Sequence, residues 1–275
     1  MPGKDILVVV DNEASVAHRL APIAALAKRG AVRLTGMYVT GMPPAQAFAD
    51  INGWAQLVDA YLTMQRAEAL KTEQAFRQEI ARLGLSGDWL CREADMTEGV
   101  IDLARLHDLV VMGQTNPDAP SNGLRPGEVV LAAGRPALLV PYAGEFATLG
   151  QRVIVCWNGT REASRALYDA MFLVEAAEAV TVLEIDPPDA EVASADLRAR
   201  HVVDALRRRG VTAKAETTVS DGTPVADLIL SLAADLSADL IVMGGWGHSR
   251  LREYILGGAS RGILDAMTVP VLMSH

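Results

Sequence analysis

The stretch from Asp239 to Ser260, DLIVMGGWGHSRLREYILGGAS, contains the residue types that hold an anion. An apolar run ending at Met243 leads into Gly244, Gly245 and Gly247. A polar segment with His248, Arg250 and Arg252 follows, then Gly257-Gly258 and the helix-like ASRGILDAM. Glycine takes positive φ without a Cβ clash and lets the main chain come close to a ligand. The first turn of a helix bares N–H groups at the positive end of its dipole. Strand, glycine turn and glycine-led helix are the parts of a phosphate cradle, and they make Gly258, Ala259 and Ser260 candidate ligand-binding residues. Arg250 and Arg252 can offset phosphate charge. They read equally well as solvated loop residues, and His248 is at least as well explained as an exposed loop histidine.

Elsewhere the chemistry is sparse. No GxSxG, GxxxxGK[ST] or SGGxDS-type loop is present, and no nucleophile–base pair stands out. His201 and Asp204 have i, i+3 spacing but no third metal ligand. Cys91 and Cys156 form no CxxC and read as reduced thiols. Arg207-Arg208-Arg209 precedes Gly210, where basic residues favour a helix C-terminus by about 0.3–1 kcal/mol each. These residues therefore point to no enzyme class.

The 275 residues are 50% hydrophobic and 21% charged, enough for a full globular core. A net charge of −9 argues against nucleic-acid partners, whose binding rests on Lys and Arg, and against anionic membranes. The apolar run Ile6–Val10 stops at Asp11, too short for a signal core or a membrane span, so a cytoplasmic protein is expected.

The positioning elements repeat. Ile6–Val10 predicts a buried strand, Ser15–Arg29 a helix kinked or restarted at Pro22, and Val32–Val39 a second strand. A long helical stretch, 45–83, breaks at Asn52-Gly53. A strand at Asp88–Arg92, a helix at Thr97–Leu106 capped by Thr97, and strands at Leu109–Met112 and Ala137–Val140 complete the first half. The order then recurs. A strand at Val153–Trp157 is followed by the turn Asn158-Gly159-Thr160 and a helix over Glu162–Ala177. Then come a strand ending at Ile185, a helix over Asp196–Arg209 and a strand over Val211–Val219. A helix capped by Thr223 with Pro224 at its first position, and strands at Leu240–Met243 and Val269–Met273, close the set. Paired landmarks, His107–Gly113 with Ala238–Gly244 and Arg135–Val140 with Val269–Ser274, support a duplication. The expected fold is α/β: two tandem domains, 1–144 and 150–275, each a five-stranded, mainly parallel sheet with helices on both faces. Tyr142–Gly150 is the expected linker. The halves are expected to pack as an internal pseudo-dimer through their last strands. Whether two chains pair further, as a homodimer, is left open by the sequence. The loop after the first half's fourth strand, QTNPDAPSNGLRPGE, has three prolines and no glycine pair, so the ligand is expected in the second half. Gln114 in that loop is accordingly expected to be indifferent to it.

Gly244-x2-Gly247-x9-Gly257 resembles the nucleotide signature of the universal stress protein family, G-x2-G-x9-G-(S/T), and the likeness spans both repeats. The resemblance implies a Rossmann-like, adenine nucleotide alpha hydrolase-like fold. It also implies ATP or another adenine nucleotide as ligand, and a regulatory role in stress response with a protein partner the sequence does not name. Carried over, it puts Gly244 and Gly247 against ribose and phosphates and Gly257 at the head of the cradling helix. Met243 precedes the signature, and Ile185 stands where the family's backbone meets adenine. The family's Ser/Thr is Gly258 here, with Ser260 offering a hydroxyl two places on. The acid that ends the family's first strand is Asn158, followed by Gly159. An amide can bond ribose or adenine but does not hold Mg²⁺ as a carboxylate does, so magnesium is not expected there. The first half keeps Asp11 but lacks the glycines and reads as degenerate. A slow hydrolase on the same site, or a nucleotide-free interaction module, are the alternatives.

Overall fold

The computed structural model describes residues 4–41, 54–118, 123–186, 198–246 and 258–275. The first half runs β1 (Lys4–Val9), α1 (Glu13–Ala27), β2 (Val32–Thr40), α2 (Trp54–Arg82), β3 (Gly87–Glu93), α3 (Met96–Ala104), β4 (Leu109–Gly113), α4 (Pro126–Ala132) and β5 (Ala137–Val140). The second runs β6 (Arg152–Cys156), α5 (Arg161–Asp169), α6 (Met171–Val174), β7 (Ala179–Ile185), α7 (Ala199–Arg207), β8 (Ala213–Thr218), α8 (Val225–Asp235), β9 (Leu240–Gly244), α9 (Ala259–Ala266) and β10 (Val271–Ser274).

The strands join in one ten-stranded sheet, ordered β3-β2-β1-β4-β5-β10-β9-β6-β7-β8. Pairing is parallel within each half. The two last strands, β5 and β10, meet antiparallel with Leu138 opposite Leu272, the contact expected from the sequence. The central strands are continuous apolar runs because both faces are covered. Along β1, Ile6 and Val8 face one core with α1, α2, α5, α6 and α7, while Leu7 and Val9 face the other with α3, α4, α8 and α9. Both cores contain residues of both halves, so packing is continuous across the β5–β10 seam.

Local chemistry departs from expectation at several element ends. Helix α1 runs through Pro22 as one element and does not restart there, because Leu20, Pro22 and Ile23 are all buried and packing outweighs one lost hydrogen bond. Its start is a capping box between Asn12 and Ser15. Helix α3 is capped by Asp95, whose carboxylate accepts from the amides of Thr97 and Glu98. The Thr97 hydroxyl instead donates to the Gly123 carbonyl. Helix α8 begins after Pro224, which occupies the cap position itself, so Thr223 is not the cap. The helix foreseen over Glu162–Ala177 is divided at Ala170 into α5 and α6. The foreseen break at Asn52-Gly53 lies outside the described residues.

Candidate functional site

In each half the chain leaves its first strand toward one side of the sheet and its fourth toward the other. The order β8-β7-β6-β9-β10 therefore reverses between β6 and β9, and β3-β2-β1-β4-β5 reverses between β1 and β4. In open α/β sheets the crevice at the carboxyl ends of such strands is the place where ligands sit. Register makes the two crevices equivalent. Val8 lies opposite Val111 and Val155 opposite Val242, so Asp11 corresponds to Asn158 and Gly113 to Gly244.

Asn158 and Gly159 form the turn after β6. The Asn158 side-chain oxygen accepts from the Thr160 hydroxyl at 2.7 Å and its amide at 3.2 Å, and Gly159 has φ +74°. Thr160 in turn caps α5. Ile185 closes β7 next door, half-buried, followed by Asp186 at φ +47°. On the other side of the crevice, buried Met243 and half-buried Gly244 end β9. A Cβ on Gly244 would lie 2.5–2.6 Å from the backbone of Glu162 and Ala163, so its bare Cα is required by the seat of α5 on the sheet. The Gly245 amide is spent on the Ser274 carbonyl at 2.9 Å, and the Gly245 carbonyl meets His275 Nδ1 at 2.9 Å.

Gly258 stands at the cap of α9 with no side-chain cap bond, and Ala259 and Ser260 open the helix. Its first amides are the groups that lack intrahelical partners by geometry. Ser260 is buried, and its hydroxyl accepts from the Trp246 amide at 3.1 Å. This side chain therefore braces the glycine turn. The sequence had suggested it as a substitute phosphate ligand. Gly247, His248, Arg250 and Gly257 lie outside the described residues. The structure thus places Asn158, Gly159, Ile185, Met243 and Gly244 at or just after the carboxyl ends of β6, β7 and β9, and Gly258, Ala259 and Ser260 at the start of α9, tied to Trp246 through Ser260.

Three residues here escaped sequence reasoning. Glu162, buried in the first turn of α5, is paired with Arg161. Burial pushes its pKa up, but the Arg161 guanidinium, its own backbone N–H and the charge of His275 prevail and hold it below the ordinary carboxylate value. The Ser274 hydroxyl is buried with no hydrogen-bond partner among the described residues, in register with Gly244. Trp246 adopts φ +52°, and its ring packs on Gly127 in α4 of the other half, where a Cβ would come within 3.0 Å of it. A tryptophan between glycines was the only available signal. Among the described residues no group of three potential metal ligands occurs, and no helix is long and apolar enough to cross a membrane.

The first-half crevice is a cavity of about 480 Å³ lined by Asp11, Arg19, Gly113, Gln114 and others. Arg19 is buried, donates to the Val9 carbonyl and pairs with the Asp11 carboxylate. Gln114 is not a bystander. Its amide donates to the carbonyls of Leu264 and Asp265 at 3.1 and 3.0 Å, at the far end of α9, and its oxygen accepts from the Tyr142 amide. The antiparallel seam carries the end of α9 across to this position, a contact that the sequence did not foresee.

Residues 150–275 match the family model described as the universal stress protein family. No curated protein matches the sequence. Among solved structures, a universal stress protein from Archaeoglobus fulgidus DSM 4304 aligns with a TM-score of 0.77 at 20% identity, over 98% of this chain and 96% of that one. A functionally unknown protein from Pseudomonas aeruginosa PAO1 aligns with a TM-score of 0.58 at 17% identity, over 98% and 92%. At such identities the likeness establishes the fold, and it does so through both halves. Residues 150–275 thus carry the match to the universal stress protein family model, and the same α/β architecture is repeated ahead of them.

Proposed function

We propose that residues 150–275 form a domain that binds ATP, or another adenine nucleotide, in the crevice between β6 and β9. The chain then acts as a nucleotide-responsive regulator in stress response, and residues 1–144 form a companion domain. The observation that carries this reading is the side-chain-free cap of α9 at the strand-order reversal, with the Trp246 turn braced onto it through Ser260. Two amides of the turn, those of Gly245 and Trp246, are already committed. Among the described residues, the phosphate donors in this reading are the first-turn amides of α9. Asn158 faces the same crevice and suits ribose or base. Its oxygen is engaged by Thr160, which accords with binding that does not need Mg²⁺.

At a free concentration about a thousandfold above Kd, nucleotide would stabilise the native state by about 4 kcal/mol, a large share of ordinary domain stability. The test is thermal unfolding with and without ATP, with and without Mg²⁺. The wild type should gain in Tm and Gly247→Val should not. An equal gain in both proteins would remove the site from this loop, and no gain in the wild type would leave an interaction module that works without nucleotide.

A further inference from the structure

The first-half cavity does not repeat the chemistry of the second. Helix α4 starts at Pro126, which has no N–H, so its first turn offers one amide donor fewer than that of α9. What the cavity has instead is a charge pair held side by side. Arg19, 6% exposed, is fixed by Val9 and Asp11, and its remaining N–H groups meet no acceptor among the described residues. A guanidinium has five donors, and a fork of them matches a carboxylate. Gly113 makes room: a Cβ there would run into the guanidinium.

The Asp11 carboxylate beside it disfavours an anion that brings no positive charge of its own, above all a polyphosphate. His18 adds no cation at neutral pH, since burial and the neighbouring Arg19 lower its pKa. Leu124, Pro126 and Val140 add apolar surface to the lining. The volume, about 480 Å³, lies in the range of small-ligand sites.

We propose that this cavity is a second ligand site, independent of the nucleotide site, and that it takes a small zwitterion with an apolar body, the class of free apolar amino acids. The ligand carboxylate lies on Arg19, its ammonium beside Asp11, and its side chain against Leu124 and Val140.

The test is calorimetric titration of the full chain with L-leucine and L-phenylalanine, alongside 4-methylpentanoate, which lacks the ammonium, and isoamylamine, which lacks the carboxylate. An apolar amino acid should bind saturably at one per chain, each analogue at least about tenfold more weakly. Saturating ATP should not displace it. Amide shifts in the wild-type spectrum should centre on Thr115 and Asn116, and Arg19→Gln should lose the binding. No saturation by either amino acid up to about 10 mM would overturn the proposal. So would equal binding of 4-methylpentanoate, displacement by ATP, or shifts centred on Gly245 and Trp246. The wild-type shift map decides the location even where Arg19→Gln fails to fold.

Discussion

The Glu162 carboxylate sits in the first turn of α5, where the backbone of the same residue presses on Gly244. The sequence did not single it out as a site residue. Because its folded pKa lies below the ordinary value, the ionised form is favoured by folding. Such a group adds stability above its unfolded pKa, and that contribution fades as pH falls through the folded one. Urea titrations of wild type and Glu162→Gln should therefore differ most near neutrality. Their difference should shrink between about pH 5 and pH 3. A difference independent of pH would mean that Glu162 acts by shape and hydrogen bonding alone. Ser260 carries a related lesson: its hydroxyl accepts the Trp246 amide and so holds the turn, while its O–H remains available as a donor.

Helix α9 is held at both ends by groups distant in sequence. At its start Ser260 braces Trp246, whose ring lies on Gly127 of the first half. At its end Gln114 donates to two carbonyls that no intrahelical N–H can reach. Leu264 is half-buried and Asp265 exposed, so removing that amide costs about 1 kcal/mol, the net worth of a hydrogen bond. Gln114→Ala should lower the unfolding free energy by that amount in urea. An unchanged midpoint would show that water replaces the side chain at no cost. The same helix presents its first turn to the proposed nucleotide, so the phosphate cradle is positioned from both halves of the chain.

Across the whole molecule, the seam between β5 and β10 turns two sheets into one. Leu138 and Leu272 are fully buried, lie opposite each other and face the same core. Truncating either to alanine should cost about 2–5 kcal/mol. Because each partly fills the space the other leaves, the double variant should lose less than the two losses summed, by at least about 0.5 kcal/mol. Strict additivity in that cycle would mean the halves stand independently. Continuous cores on both faces predict coupling.

Much of this was legible before any coordinates. Apolar runs such as Ile6–Val10 and Leu240–Met243 announce strands buried on both faces. The repeat of landmarks announces two alike halves, and glycines at 244, 245, 257 and 258 mark where a chain can bend tightly. These signals are local, set by propensity and periodicity within a few residues. Element ends were less legible, because competing neighbours decide them: Asp95 took the cap expected of Thr97, and packing carried α1 through Pro22. The sequence by itself determined the elements, their repetition and a glycine turn of the kind that receives phosphate. Only the tertiary structure decided that Gly244 serves helix packing, that Arg19 neutralises Asp11, and that Gln114 reaches α9. The physical reason is distance along the chain. Contacts between residues as far apart as Gln114 and Leu264 arise only when the antiparallel seam brings the halves together, and no local pattern encodes them.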